Sequence, residues 1–175
     1  QAITDSVLVL LAGNWTGARV ESNGERIALE PGVVGSRAND ILKPFGRKIG
    51  PDPASINSAM IGGIAANNAS GMCCGVNFNS YRTLHSMRVI LADGHLLDTN
   101  DPESCERFRR NHRELLNSLA SLAKQVFSDS ELSDRIKHKY QIKNTTGYSL
   151  NALVDYHDPL EILQHLMIGS EGTLG

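Results

Sequence analysis

Residues 51–75 read PDPASINSAMIGGIAANNASGMCCG, and this stretch decides how the rest of the chain is interpreted. Between Ala59 and Gly75 it contains only four large apolar side chains, those of Met60, Ile61, Ile64 and Met72. Such a segment contributes little to a hydrophobic core. Its backbone can approach a ligand closely and offer N–H groups to an anion such as a pyrophosphate. A tightly packed structural loop is the alternative interpretation, because glycine-rich segments are common.

The bulk composition is that of a soluble globular protein. The chain has 175 residues, of which 41% are hydrophobic and 21% charged, and its formal net charge is −2. A charge so close to zero provides no field that would attract nucleic acid or an anionic membrane. Aromatic residues make up only 5% of the chain and do not alternate with basic ones, so binding of single-stranded nucleic acid is not expected.

Neither the apolar runs nor the cysteines indicate a membrane or secreted protein. No apolar run approaches the roughly 20 residues that a membrane helix needs, and we recognise no signal peptide. Three cysteines, two of them adjacent at Cys73 and Cys74, do not make a disulfide framework. We therefore predict a cytoplasmic setting, either free or peripheral at the inner face of the membrane.

Hydrophobic periodicity and capping signals predict a mixture of short strands and longer helices. In chain order we expect a buried strand at 6–12, a polar and turn-rich stretch at 13–24, a strand at 26–30, a helix at 36–43, a short helix inside the small-residue segment, a hairpin at 87–98, and helices at 101–127, 128–139 and 158–169. The strands come in antiparallel-looking pairs and the helices follow late. This order predicts an α+β fold with a mainly antiparallel sheet flanked by helices.

A second glycine-rich motif stands at 168–175 and reads IGSEGTLG. It is typical of a helix C-cap and turn, although Glu171 within it could accept hydrogen bonds from ligand hydroxyls. Lys143 is the most interesting cation of the basic run at 135–143, because it directly precedes the motif NTTGY at 144–148. The six histidines show no metal-ligand spacing and the cysteines no paired motif, so we predict no metal site.

Three blocks taken together resemble one family. PDPAS at 51–55 with IGGIAANNASG at 61–71, KNTTGYSL at 143–150 and IGSEGTLG at 168–175 resemble the FAD-binding domain of FAD-linked oxidases of the vanillyl-alcohol-oxidase or PCMH type. Within that superfamily the pattern is most similar to the branch of D-lactate, glycolate and 2-hydroxyglutarate dehydrogenases. Order and spacing agree over essentially the whole chain. The insertion between Asp98 and Lys143 resembles larger members that carry a C-terminal iron–sulfur part.

The resemblance implies a set of cofactor-binding residues. Around the FAD path, its pyrophosphate and ribityl portions and the flavin end, these are Pro51, Asp52, Pro53, Ala59, Gly62, Gly63, Asn67, Asn68, Ser70, Gly71, Glu171 and Gly172. Ser70 departs from the family's usual Gly-Gly, and phosphate contact is retained there if its φ is negative. No His lies in the matching loop, so the resemblance implies non-covalent FAD. It assigns no catalytic residue to this chain.

The resemblance also implies an activity and a division of the protein. The chain is expected to be the second lobe of an FAD-binding domain, spanning 1–175, with the first lobe and the substrate-covering cap domain outside it. The expected reaction is oxidation of a small 2-hydroxy acid, with electrons passing to a quinone, a cytochrome or an iron–sulfur partner rather than to nicotinamide. The isolated piece is expected to be inactive. A non-catalytic module that binds a nucleotide or a partner through the same lobe is the alternative.

Overall fold

The computed structural model describes Val9, Leu11 and residues 13–175. The strands among them are β1 (Ala18–Glu21), β2 (Arg26–Leu29), β3 (Arg88–Ile90) and β4 (Leu96–Asp98). The helices are α1 (Gly35–Leu42), α2 (Ile61–Ala66), α3 (Ser80–Thr83), α4 (Pro102–Asn111), α5 (Arg113–Ser128), α6 (Ser130–Lys139), α7 (Ala152–Asp155) and α8 (Pro159–Met167). This mixture confirms the predicted α+β class. The described strands form two separate antiparallel pairs, β1 with β2 and β3 with β4.

The chain divides into two compact units. The first is the described part of Gln1–Ile49 together with Ala54–Gly63, and the second is Gly50–Pro53 together with Ile64–Gly175. In the first unit, β1 pairs with β2 in a register that sets Ala18 opposite Leu29. Helix α1 follows, burying Ala38 and Leu42.

The second unit contains two adjoining hydrophobic clusters. One is centred on Ile162 and Ile168, and the other on Leu97 and Phe108. Helices α5, α7 and α8 pack against one another around the first cluster, while the β3–β4 hairpin and α4 cover the second. Among the described residues, no helix is both long and apolar enough to cross a membrane.

Most predicted elements are confirmed, and the differences have local causes. The predicted turn-rich stretch at 13–24 is wrong over Ala18–Glu21, because these four residues find a pairing partner in β2. The helix predicted over 101–127 is broken at His112, whose φ of −117° and ψ of 35° leave the helical region. The helix predicted over 128–139 begins two residues later, at Ser130, because the Asp129 side chain caps it by accepting from the Leu132 N–H. The strand predicted at 6–12 lies outside the described residues apart from Val9 and Leu11.

Candidate functional site

The first and third blocks meet at the end of α2. The Gly169 N–H donates to the Ala65 carbonyl at 3.1 Å, and the Glu171 N–H donates to the Ala66 carbonyl at 2.9 Å. The side chains join as well, because the Asn67 amide donates to Oε1 of Glu171 at 2.5 Å. Asn67 and Glu171 are both exposed. The glycine-rich turn therefore caps the last carbonyls of α2 and leaves an amide and a carboxylate on the surface.

The second block lies against the third. Ser149 is buried, and its hydroxyl donates to the Ile168 carbonyl at 2.8 Å. The hydroxyls of Tyr148 and Thr173 are 2.8 Å apart. Tyr140, just after α6, donates its hydroxyl to the Tyr148 carbonyl at 2.7 Å and so fixes this loop to the helix. Side-chain hydrogen bonds thus hold together two motifs that are about 20 residues apart in sequence.

Lys143 connects the second block to the first. Its ammonium group donates to the carbonyl oxygen of Ser70. Lys143 is exposed whereas Ser70 is buried, so the cation lies at the surface directly over the small-residue loop. Ser70 does not have a positive φ, which meets the condition under which its hydroxyl could contact a phosphate. An ammonium beside a loop of small residues is a suitable environment for an anion.

Asn68 has a structural role that the sequence did not reveal. Its φ is 47°, in the left-handed region, which Asn tolerates better than most residues. The Asn68 N–H donates to the Ala65 carbonyl and the Ala69 N–H to the Ile64 carbonyl, the two hydrogen bonds of a Schellman cap. The buried side chain accepts from the Tyr81 N–H at 3.4 Å. Asn68 therefore ends α2 and faces the protein interior.

Behind this cap lies a buried aromatic group. Tyr81 donates its hydroxyl to Asp155 at 2.9 Å, and burial followed by the charge of Asp155 raises the pKa of Tyr81. His165 stacks on Tyr156 with ring centroids 4.0 Å apart and meets the edge of Tyr81 at 5.0 Å. Burial lowers the pKa of His165, although its contact with the Glu161 carbonyl opposes the shift. We assign these packed rings a structural role.

Asp52 holds the loop that follows α2. Its Oδ1 accepts from the Gly71 N–H at 3.1 Å and from the Cys74 N–H at 3.2 Å. A Cβ at Gly71 would lie 2.0 Å from the Asp52 carbonyl oxygen, so only glycine fits. Pro51 and Pro53 on either side of Asp52 are buried. These contacts assign Asp52 and Gly71 a part in shaping the loop.

In the first unit, the predicted residues lie along a strand-like contact. The Ala59 carbonyl accepts from the Gly35 N–H at 2.9 Å, and the Gly62 N–H donates to the Pro31 carbonyl at 2.9 Å. A Cβ on Gly62 would meet Pro31 at 2.9 Å, whereas one on Gly63 would meet nothing within 4 Å. Gly62 is thus required by packing, and Gly63 is the glycine with open space beside it.

The structure therefore sorts the predicted site residues by surroundings. Among those in the second unit, Asn67, Glu171 and Gly172 are exposed, while Asn68 and Ser70 are buried. Glu171 and Gly172 are consecutive residues with positive φ, 54° and 73°. Sequence reasoning noticed Lys143 without including it among the site residues. The signal for it was its position directly before the NTTGY motif.

Comparison with known proteins finds relatives that share one name. The chain is 26% identical over 179 residues to the D-2-hydroxyglutarate dehydrogenase of Haemophilus influenzae, covering 99% of the chain and 17% of that protein. It is 29% identical over 162 residues to the D-2-hydroxyglutarate dehydrogenase of Pantoea ananatis, covering 89% of the chain and 16% of that protein. The protein of the same name from Escherichia coli is 26% identical over 183 residues, with 99% and 17% covered.

These matches cover most of this chain but only a small part of each relative. The chain spans about a sixth of the length of the curated relatives it matches, 16–17% in each case. No solved structure is significantly similar to it. The model of the family described as FAD binding domain matches residues 1–100, which include the first block. Since this is more than half of the 175 residues, the chain belongs to the FAD binding domain family, whose cofactor is FAD.

Proposed function

We propose that this chain is the second lobe of the FAD-binding domain of a flavoprotein dehydrogenase that oxidises a 2-hydroxy acid, with D-2-hydroxyglutarate as its substrate. The relatives that carry this name cover nearly the whole chain. The observation that carries the proposal is that parts of all three blocks meet in the second unit, beside the end of α2.

The residues of this surface fit a dinucleotide cofactor. Lys143 supplies a cation above the Ser70 carbonyl, and Asn67 an exposed amide. A pyrophosphate needs both positive charge and close backbone approach, which the small residues of this loop permit. Glu171 offers a carboxylate that can accept hydrogen bonds from ribityl hydroxyls. Ala59, Gly62 and Gly63 remain proposed cofactor residues from the resemblance, with Gly63 the most open of the three.

We assign this chain the task of binding and orientation rather than acid–base chemistry. When bound, FAD would accept the α-carbon hydrogen of the 2-hydroxy acid as a hydride, and loss of the hydroxyl proton would leave a 2-oxo acid. Asp52 and Asn68 keep the loop in shape, and Lys143 neutralises phosphate charge. We assign contact with the substrate to other parts of the protein. The electrons pass to a non-nicotinamide acceptor, namely a quinone, a cytochrome or an iron–sulfur partner. We expect this chain alone to bind no stoichiometric FAD.

The test is a spectrum of the full-length gene product. We expect the visible absorption of a flavin, FAD released on denaturation, and bleaching under anaerobic conditions when D-2-hydroxyglutarate is added. L-2-hydroxyglutarate, D-lactate and glycolate are the comparison substrates. A flavin that none of these acids reduces would support a non-catalytic module instead. A colourless, folded protein that takes up no FAD would refute the proposal as a whole.

Lys143→Ala in the full-length protein tests the proposed contact between Lys143 and a phosphate of FAD. We expect FAD affinity to fall by about tenfold, equivalent to about 1.4 kcal/mol, because a charge-assisted contact to phosphate is lost. Lys139→Ala is the matched control, since Lys139 is also exposed and lies four residues away at the end of α6. Equal FAD affinity in the two variants would remove Lys143 from the site.

A further inference from the structure

Two histidines and an aspartate that belong to none of the three blocks come together in the second unit. Oδ2 of Asp93 lies 2.7 Å from Nε2 of His112 and 3.4 Å from Nδ1 of His95. One ligand atom from each residue lies within 4.8 Å of the other two. The sequence predicted no metal site, because the six histidines show no metal-ligand spacing and the cysteines no paired motif. The fold creates the cluster by bringing a hairpin turn against a helix junction.

Each member is held by its own element. Asp93 and Gly94 form the turn between β3 and β4, with Gly94 at φ 82°. The His95 N–H donates to Oδ1 of Asp93 at 3.0 Å, which leaves Oδ2 directed toward the two imidazoles. His112 lies at the break between α4 and α5. Its ring stacks on the buried Phe108 with centroids 4.0 Å apart and an angle of 11°.

The hydrogen-bonding pattern leaves this cluster incompletely satisfied. Nδ1 of His112 is buried and has no hydrogen-bond partner in the described structure. Nε2 of His95 faces the Asn111 amide at 3.3 Å. Rotation of that amide would place its oxygen there, so that it could accept from a protonated Nε2 while Nδ1 keeps a lone pair. Asn111 can therefore set the His95 tautomer that a metal ligand needs.

We propose that Asp93, His95 and His112 form a binding site for a divalent transition-metal ion, with Zn²⁺ as its preferred occupant. Nitrogen and carboxylate ligands at about 2.0–2.2 Å, three from the protein and water in the fourth position, are usual for zinc. That geometry requires ligand atoms about 3.3 Å apart. The His95–Asp93 distance already meets this value, and the His112–Asp93 distance needs to open by about half an ångström.

The electrostatics favour a cation. Asp93 supplies the negative charge of the cluster, and its Oδ2 lies within 3.4 Å of a ring nitrogen of each histidine. Bound metal would fasten the β3–β4 turn to the α4–α5 junction, because two ligands come from the hairpin and one from the helix break.

The experiment uses the 175-residue chain after chelator treatment and dialysis. We expect calorimetric titration with Zn²⁺ to show one site, and Tm to rise by roughly 5–10 °C when free Zn²⁺ is about 100 times its Kd. His95→Ala and Asp93→Asn should each weaken binding by about tenfold or more. Both side chains are about half exposed, so these variants should fold. His85→Ala is the matched control, because His85 is exposed and outside the cluster.

Exposed Cys73 is the competing zinc ligand, so Co²⁺ spectra and a Cys73→Ser variant accompany the titration. Retention of the site in Cys73→Ser, without a thiolate-to-cobalt charge-transfer band, supports the proposal. The proposal is overturned if Zn²⁺ neither binds nor changes Tm. It is also overturned if His95→Ala and Asp93→Asn bind as tightly as His85→Ala, or if Cys73→Ser removes the site. None of these results depends on FAD binding, so they test this site separately from the proposed function.

Discussion

Replacement of Gly71 by Ala tests whether the loop after α2 is shaped by close packing. The new Cβ would lie 2.0 Å from the Asp52 carbonyl oxygen and 2.6 Å from Oδ1 of the same residue. The nearest obstacle is backbone, which cannot rotate away as a long side chain can. The Asp52 backbone would have to retreat by more than about 1 Å to reach ordinary contact.

That displacement affects two hydrogen bonds as well as packing. Overpacking costs about 1–3 kcal/mol. The Gly71 and Cys74 N–H groups both donate to Oδ1 of Asp52, at 3.1 and 3.2 Å. A hydrogen bond to a charged group contributes about 1.5–3 kcal/mol, and partial loss of both is expected. We therefore expect Gly71→Ala to lower the free energy of unfolding by about 3–5 kcal/mol, a large part of the roughly 5–15 kcal/mol typical of a domain.

Urea unfolding followed by far-UV circular dichroism measures this loss, with Gly63→Ala as the matched control. Gly63 lies within α2, and a Cβ added there would meet nothing within 4 Å, so Ala should stabilise the helix by about 0.5–1 kcal/mol. The two glycine variants should therefore change stability in opposite directions. A Gly71→Ala protein within about 0.5 kcal/mol of the parent would refute the packing argument. Equal destabilisation by both variants would show that glycine content, not local space, matters.

Three further expectations follow from single contacts. Asn68→Ala should lower the free energy of unfolding in urea by about 1–2 kcal/mol, because Ala is strained at positive φ, and Asn68→Gly should lower it less. Equal losses in the two variants would contradict this. Asp158→Ala should lower Tm, because it removes the cap of α8, which contributes about 1 kcal/mol, and the ion pair with Arg109 at 2.7 Å. An unchanged Tm would contradict this. Burial lowers the pKa of His165, so the unfolded state takes up a proton first and the free energy of unfolding should fall as the pH drops below about 6.5. His165→Gln should reduce this dependence on pH, and an unchanged dependence would exclude His165 as its source.

Local sequence signals predicted the elements that are bounded by turn or helix-capping residues. The Asp93-Gly94 turn gave the hairpin, and Asp101-Pro102 and Asp158-Pro159 gave the starts of α4 and α8, with both aspartates acting as caps. The break at His112 could not be foreseen, because it depends on a ring stacking and an Asp93 contact that exist only after folding. Strand β1 was missed because Ala18–Glu21 alternates apolar and polar residues over only four positions within a polar stretch, and its strand conformation depends on pairing with β2.

The candidate site was predictable as a set of motifs but not residue by residue. Resemblance identified the three blocks, and folding brings parts of all three together in the second unit. Composition could not separate Gly62, which packs against Pro31, from Gly63, which has open space. Nor could it show that Asn68 points inward while Asn67 points outward, because that difference is set by the Schellman cap at the end of α2.

Glu171 shows how scaffold and proposed ligand contact combine at one position. A left-handed conformation costs a non-glycine residue about 1–2 kcal/mol, and glycine would adopt the observed φ of 54° freely. The conformation persists because the Glu171 N–H binds the Ala66 carbonyl and the carboxylate binds Asn67. Both contacts draw on the end of α2, so the helix cap also orients an exposed carboxylate beside an exposed amide. A glycine at 171 would relieve the backbone but leave the Asn67 amide without its carboxylate partner, so the contribution we propose for Glu171 is the fixed orientation of this pair.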